Sequence, residues 1–237
     1  KGPSSSAQAA DLLSKRGGSN AFAKFKASAI TQDFSSSSGE PILASFDAIS
    51  DPVLKTNFKH LNKKDPTTRI KALTHIASNI ADKPQDEIVR ILPEWIMTLK
   101  KLVLDNTRRV REYSFIVFKE IAELVKKELG PYLKSIMGIW LISMHDHDRE
   151  VAVAARNAFF AAFPDKEKQE RALKFCEDEI VDQLITNFKQ TVQTLTDSKS
   201  ITKNEAEERY NRYISSSILA LDYLIQNSNV ENDKFKE

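Results

Sequence analysis

Four consecutive residues, His145-Asp146-His147-Asp148, form the densest cluster of metal-binding and acid–base side chains in the chain. Imidazoles and carboxylates are the donors that ligate zinc, and His-Asp pairs also serve metal-dependent phosphohydrolases. Two features argue against a metal site. Adjacent residues point in different directions, so contiguous ligands converge poorly on one ion. Asp146 also occupies a recurring position: Asp65, Asp105 and Asp146 are 40 and 41 residues apart, each at a turn where an aspartate caps the next helix with no metal. Cys176 is the single cysteine, which excludes a disulfide framework and a Cys-rich zinc site within this chain. It lies on an apolar stripe and reads as a small core residue. His60 and His75 fall on helices expected to be packed. No Ser-His-Asp or Cys-His arrangement and no glycine-rich phosphate loop stands out, and paired carboxylates lie on solvated helix faces. The sequence assembles no catalyst and calls for no cofactor.

Basic residues at the turns carry more information. Lys63, Lys64 and Arg69 flank the first turn, Arg108 and Arg109 the second, and Arg149 the third. Lys126, Lys127 and Lys134 add charge at the next helix–helix corner. Stacked repeats bring equivalent turns about 10 Å apart, the spacing of packed helices, so these cations line one edge. That edge is either solvated and paired to aspartates, or it meets RNA phosphates or an acidic protein helix. Arg111 reads as a ladder partner for an aspartate of a neighbouring turn.

The elements that place these residues are helical. Over 105–141 an acidic residue caps a turn, two arginines follow, and a helix begins with apolar residues on two adjoining faces. Val110, Tyr113, Val117, Ile121 and Leu124 fall at steps of three and four, and Phe115, Phe118, Ala122 and Val125 lie beside them, so this helix needs neighbours on both sides. Gly130-Pro131 stops it and starts another apolar helix, Tyr132 to Met144. The 40-residue period, with Asp at the turn and Val-Arg opening the second helix, is the pattern of HEAT repeats. In that register Ile70-Lys71 and Val151-Ala152 match Val110-Arg111. The ladder should stop at Ala152, which lacks a basic group.

Asp51-Pro52 and Asp65-Pro66 are N-cap and first-position signals. They predict helices over about 52–62, with Leu54, Phe58 and Leu61 inward, and from 66 to about Ala81. A helix from about Asp86 runs through Pro93, which should kink it. In 149–163, small residues line one side and Phe159, Phe160 and Phe163 fill space on the other. The apolar steps from Leu173 through Cys176, Ile180, Leu184, Phe188, Val192 and Leu195 predict one helix of about 30 residues from 166. Its exposed face carries Glu177, Asp178, Glu179 and Asp182. Thr202 and Glu205 make a capping box for a last helix bearing Tyr210, Tyr213, Ile214, Ser217, Leu221 and Leu224.

The expected organisation is therefore all-α: an extended tail with a short helix over 1–50, HEAT-like repeats of about three helix pairs over 51–164, a long helical hairpin cap over 165–228, and a frayed tail over 229–237. In the tail, Phe22, Phe25, Phe34 and Phe46 either staple the segment onto the helices, or Phe22-Ala-Lys-Phe25-Lys26 is a short linear motif for a partner. The net charge of +2, from 35 basic and 33 acidic residues, creates no global field that demands nucleic acid. No stretch has the 18 or so apolar residues of a membrane span, and nothing resembles a signal peptide. A soluble chain in a reducing compartment is expected. Lys1 stands where a complete chain has Met, consistent with a piece of something longer.

Several stretches carry a family resemblance. RRVRE (108–112), VKKELGPYLKSIMGIWL (125–141), NAFFAAFP (157–164) and ALKFCEDEI (172–180) resemble the N-terminal domain of the listerin family, the RING-type E3 ubiquitin ligases of ribosome-associated quality control. KKDPTTRIKAL (63–73), LPEW (92–95), EAEERYNRYISSSILAL (205–221) and SSSAQAADLL (4–13) are similar as well. The resemblance implies a fragment of a very long HEAT/armadillo-like cytosolic protein whose catalytic RING lies outside this region. It implies as partners the large (60S) ribosomal subunit carrying peptidyl-tRNA, an NEMF-type tRNA-binding protein, and the remainder of the ligase chain. It supplies no catalytic residue here. Lys63, Lys64, Arg69, Arg108, Arg109, Lys126, Lys127, Lys134, Phe22 and Phe25 are the candidate contacts from the residues themselves. The competing readings are a helical-repeat protein–protein adaptor unrelated to ribosomes and, on the His-Asp cluster alone, an enzyme.

Overall fold

The computed structural model describes residues 49–195 and 201–227. The expected tail before Ile49, with Phe22, Phe25, Phe34 and Phe46, and the expected frayed end at 229–237 lie outside the described residues. Those described hold nine α-helices and no strand. They are α1 (Pro52–His60), α2 (Pro66–Asn79), α3 (Gln85–Leu102), α4 (Arg108–Val125), α5 (Leu133–Ser143), α6 (Arg149–Ala162), α7 (Lys166–Phe175), α8 (Glu177–Phe188) and α9 (Lys203–Asn227). Short 3-10 segments, Ile80–Asp82 and Lys126–Tyr132, follow α2 and α4.

Three antiparallel pairs stack in two layers. α2, α4 and α6 pack in succession as one layer, while α3 and α5 lie behind α4 and α6. α1 closes the first pair, with Phe58 edge-on to Trp95 of α3, ring centroids 6.0 Å apart. α4 is the central helix, as its two apolar faces require: Val110, Phe115, Val117, Phe118, Ile121, Ala122 and Val125 are all buried. Trp140 of α5 sits against Phe118, Phe159 and Phe163, and its indole N–H donates to the Ala155 carbonyl at 3.0 Å. The small residues Val151, Ala154, Ala155 and Ala158 let α6 come close. Phe160, expected to fill space beside Phe159, is instead exposed, because successive helical residues point about 100° apart and only one meets the core.

The pattern changes after α6. The single helix expected from 166 to Leu195 is two helices broken at Cys176, whose backbone leaves the helical basin at φ −105°, ψ 10°. Glu177, Asp178 and Glu179 occupy the first turn of α8, where carboxylates meet the positive end of the helix dipole. The acidic run therefore marks a helix start rather than a solvated face. Glu177 is buried and accepts from Lys174 at 2.7 Å. α8 ends at Phe188 because Thr191 and Thr194 bond each other's backbone N–H groups, an alternative to continuing the helix. The long hairpin is thus a 12-residue α8 and a 25-residue α9, both packed on α5. Gly138 makes the α5–α8 approach possible, since an added Cβ there would lie 2.8 Å from the Gln183 Cβ.

α4 also ends earlier than Gly130-Pro131 predicts. Lys126 turns the chain at φ 50°, ψ −118°, a conformation that costs a residue with a Cβ strain. The segment to Tyr132 then runs as a 3-10 helix.

Candidate functional site

The inter-helix turns are built by two buried or half-buried arginines. Arg111 is 1% exposed. Its Nε and Nη2 donate to Asp146 at 3.0 and 3.2 Å, and Nη2 also reaches Asp148. Its Nη1 donates to the carbonyls of Asp105 and Asn106 at 2.8 and 3.1 Å. A buried guanidinium is tolerable only when its donors are used and its charge is met, and here both hold. Arg69 repeats the arrangement one pair earlier. Its Nη1 donates to the Lys63 and Lys64 carbonyls at 2.6 and 2.7 Å, and its Nη2 lies 2.8 Å from Asp105.

This geometry shifts the first repeat by two residues. Arg69, not Lys71, is the counterpart of Arg111, and Lys63 is the counterpart of Asp105. Asp65 matches Thr107 and Asp148, the residues that precede α4 and α6. Proline at Pro66 misled the register, because it supplies the cap signal at a different offset. The ladder ends at Ala152, as expected.

Arg69 is therefore corrected from exposed docking cation to structural clamp: its side chain is 14% exposed and its charge is met by Asp105. The other turn cations differ. Arg108 is exposed but 3.2 Å from Glu150. Arg109 is exposed and lies over the Tyr113 ring, 5.6 Å from its centroid. Lys63, Lys64, Lys126 and Lys127 are exposed, and no carboxylate among the described residues lies within 4 Å of them. Lys134 pairs with Glu179 at 2.8 Å and sits 5.0 Å from the Phe175 ring centroid. Phe22 and Phe25 are outside the described residues.

Two further arginines, invisible as partners in the sequence, join the turns from 100 residues away. Arg209 Nε donates to Asn106 Oδ1 at 2.8 Å, and Arg212 Nη2 donates to the Asp105 carbonyl at 3.3 Å. Burial lowers both guanidinium pKa values, that of Arg212 to about 10, with Arg111 nearby adding to the effect. On a helix reading EERYNRY they look like a solvated pair three apart.

The His-Asp cluster is absorbed by the same scaffold. Asp146 accepts the Asp148 N–H at 2.9 Å and both carboxylates meet Arg111. His145 packs on the Tyr223 ring of α9, with centroids 5.2 Å apart, and burial lowers its pKa. His147 is exposed on the other side of the turn. Among the described residues no three His, Cys, Asp or Glu side chains gather where they could hold a metal. Cys176 is buried, and burial pushes its thiol up to about 12, so it is inert at neutral pH.

Stacked helix pairs, an arginine–aspartate ladder and a basic turn edge define a HEAT-like α-solenoid module whose surface features are contacts rather than chemistry. The sequence comparisons place it more narrowly. The model for the N-terminal domain of E3 ubiquitin-protein ligase listerin matches residues 49–237, and the chain belongs to that family. It is 35% identical to listerin of Mus musculus over 225 residues, 94% of this chain and 13% of the relative. Listerin of Gallus gallus is 36% identical over the same shares, and that of Saccharomyces cerevisiae is 27% identical over 192 residues, 74% and 12%. The chain thus spans about one eighth of the relatives' length. No helix among the described residues is long and apolar enough to cross a membrane.

Proposed function

We propose that this domain is a non-catalytic docking module of a large RING-type ubiquitin ligase. It helps the ligase engage stalled large ribosomal subunits carrying peptidyl-tRNA, beside an NEMF-type partner, in the cytosol. Transfer of ubiquitin to the nascent chain belongs to a RING elsewhere in the full-length protein. Family membership supports the ligase part of this reading. The observation that carries the docking part is the turn edge itself, where Lys63, Lys64 and Arg109 are exposed without a carboxylate partner among the described residues.

Co-sedimentation with purified large subunits, intact or split from stalled ribosomes, with and without the partner, tests the reading. The Arg108→Glu/Arg109→Glu variant should bind about tenfold or more weakly, a difference of one to two kcal/mol. It should fold nearly normally, since exposed substitutions cost within about 0.5 kcal/mol. Wild-type binding by the double reversal would remove this turn from the interface. A protein-adaptor reading is favoured by one observation, a cleft of about 450 Å³ between α4 and α6 lined by Ile116, Val153 and Ala154. Retained ribosome binding with Val153→Asp would leave that cleft outside the docking function.

A further inference from the structure

The first helix pair is electrostatically unlike the rest of the chain. Between Asp51 and Asp82 lie six cations, Lys55, Lys59, Lys63, Lys64, Arg69 and Lys71, and one carboxylate, Asp65. That stretch carries +5 in a chain whose net charge is +2, so everything else sums to −3. The nearby carboxylates are occupied. Asp65 accepts from the Thr67 and Thr68 N–H groups at 3.3 and 2.8 Å, and Asp51 caps α1 and pairs with Lys83. Asp105 is spent on Arg69. Lys59, Lys63, Lys64 and Lys71 are all exposed, with no carboxylate of the described residues within 4 Å. The negative end of the α1 dipole holds Lys59 in its last turn. The Arg69 clamp fixes the carbonyls of Lys63 and Lys64, so the turn keeps one shape while their ammonium groups face solvent.

We infer that the α1–α2 hairpin is an RNA-backbone contact: a preformed set of four lysines, Lys59, Lys63, Lys64 and Lys71, that engages successive phosphates. RNA is favoured over an acidic protein because the hairpin offers charge without an apolar centre. From Leu54 to Asp82 no large apolar side chain is exposed, whereas protein interfaces bury an apolar core and are depleted in lysine. Phosphate contacts need only cations and tolerate any sequence. This inference rests on the docking reading for its biological target and names which part of the ribosome the hairpin meets.

The test uses the 237-residue chain and a 20-base-pair duplex RNA, with anisotropy titrations from about 50 to 200 mM salt. Each phosphate contact adds about 0.7–0.9 to the log–log salt slope on DNA, and a similar increment applies to RNA. Lys59→Gln/Lys63→Gln/Lys64→Gln/Lys71→Gln should lower the slope by about 3 and the affinity at 100 mM salt at least tenfold, with Tm unchanged. A charge-matched control, Lys166→Gln/Lys168→Gln/Lys189→Gln/Lys203→Gln, should change the slope by less than one. Equal loss in both variants, or an RNA affinity insensitive to the hairpin variant, overturns the inference. Loss of large-subunit binding in the hairpin variant with undiminished RNA binding would also overturn it and point to a protein contact. If the wild-type chain binds the duplex through the hairpin but fails to sediment with large subunits, the docking reading falls and the RNA contact stands.

Discussion

Trp140 is enclosed by Phe118, Phe159 and Phe163 and spends its one donor on the Ala155 carbonyl. Trp140→Ala should cost about 3–5 kcal/mol in chemical denaturation, the range for removing a large core aromatic. A loss below about 1 kcal/mol would contradict the packing described. Lys126 supplies the opposite case. Its φ of 50° is easy only for glycine, so Lys126→Gly should stabilise the fold by about 1 kcal/mol. The same change probes the basic corner, where a lysine tolerated in such a conformation is worth testing for ribosome binding.

At the scale of the element, caps do what the sequence signals promise, and they bring pH dependence with them. Asp51 caps α1 through the Val53 and Leu54 N–H groups at 2.7 and 3.1 Å and pairs with Lys83. The Lys83 hydrogen bond, followed by the Leu54 N–H, lowers its pKa to about 2. A carboxylate held below its unfolded value stabilises the fold at pH above that value, near 4, and loses the contribution as pH falls towards 2. Asp51→Ala should therefore cost about 1 kcal/mol at pH 7, the usual worth of an N-cap. It should cost little at pH 2, as melting curves of both proteins across this window would show. His145 follows the same sign. Desolvation first, then Arg156, depresses its pKa below the ordinary 6.5, partly offset by Asp222. Contacts between the α5–α6 turn and Tyr223 should loosen as pH drops below that value.

Across the whole molecule, the Arg69–Asp105 and Arg111–Asp146 rungs tie successive helix pairs, and Arg209 and Arg212 bring α9 onto the same turns. Arg111→Ala would strand Asp146, whose side chain is 8% exposed, and should cost about 3–5 kcal/mol, as breaking a buried pair does. Arg111→Met, which keeps the volume, should still destabilise while both aspartates remain. Combining it with Asp146→Leu should recover part of the loss, and a double-mutant cycle measures the coupling.

Much of this was written locally. The period of 40 and 41 between Asp65, Asp105 and Asp146, the two apolar faces of α4 and the caps at Asp51, Asp65 and Thr202 are set by neighbours within a few turns. A linear reading therefore finds the all-α solenoid, its pairs and the ladder residue Arg111. The family resemblance was legible in short strings for the same reason. Tertiary structure decided the rest. The break at Cys176 leaves the apolar spacing intact, so only the fit of α8 against Gly138 reveals it. Arg69 and Lys71 are equally basic on paper. Which one turns inward depends on where Asp105 of the next pair falls, and which lysines stay free depends on every carboxylate that folding carries elsewhere.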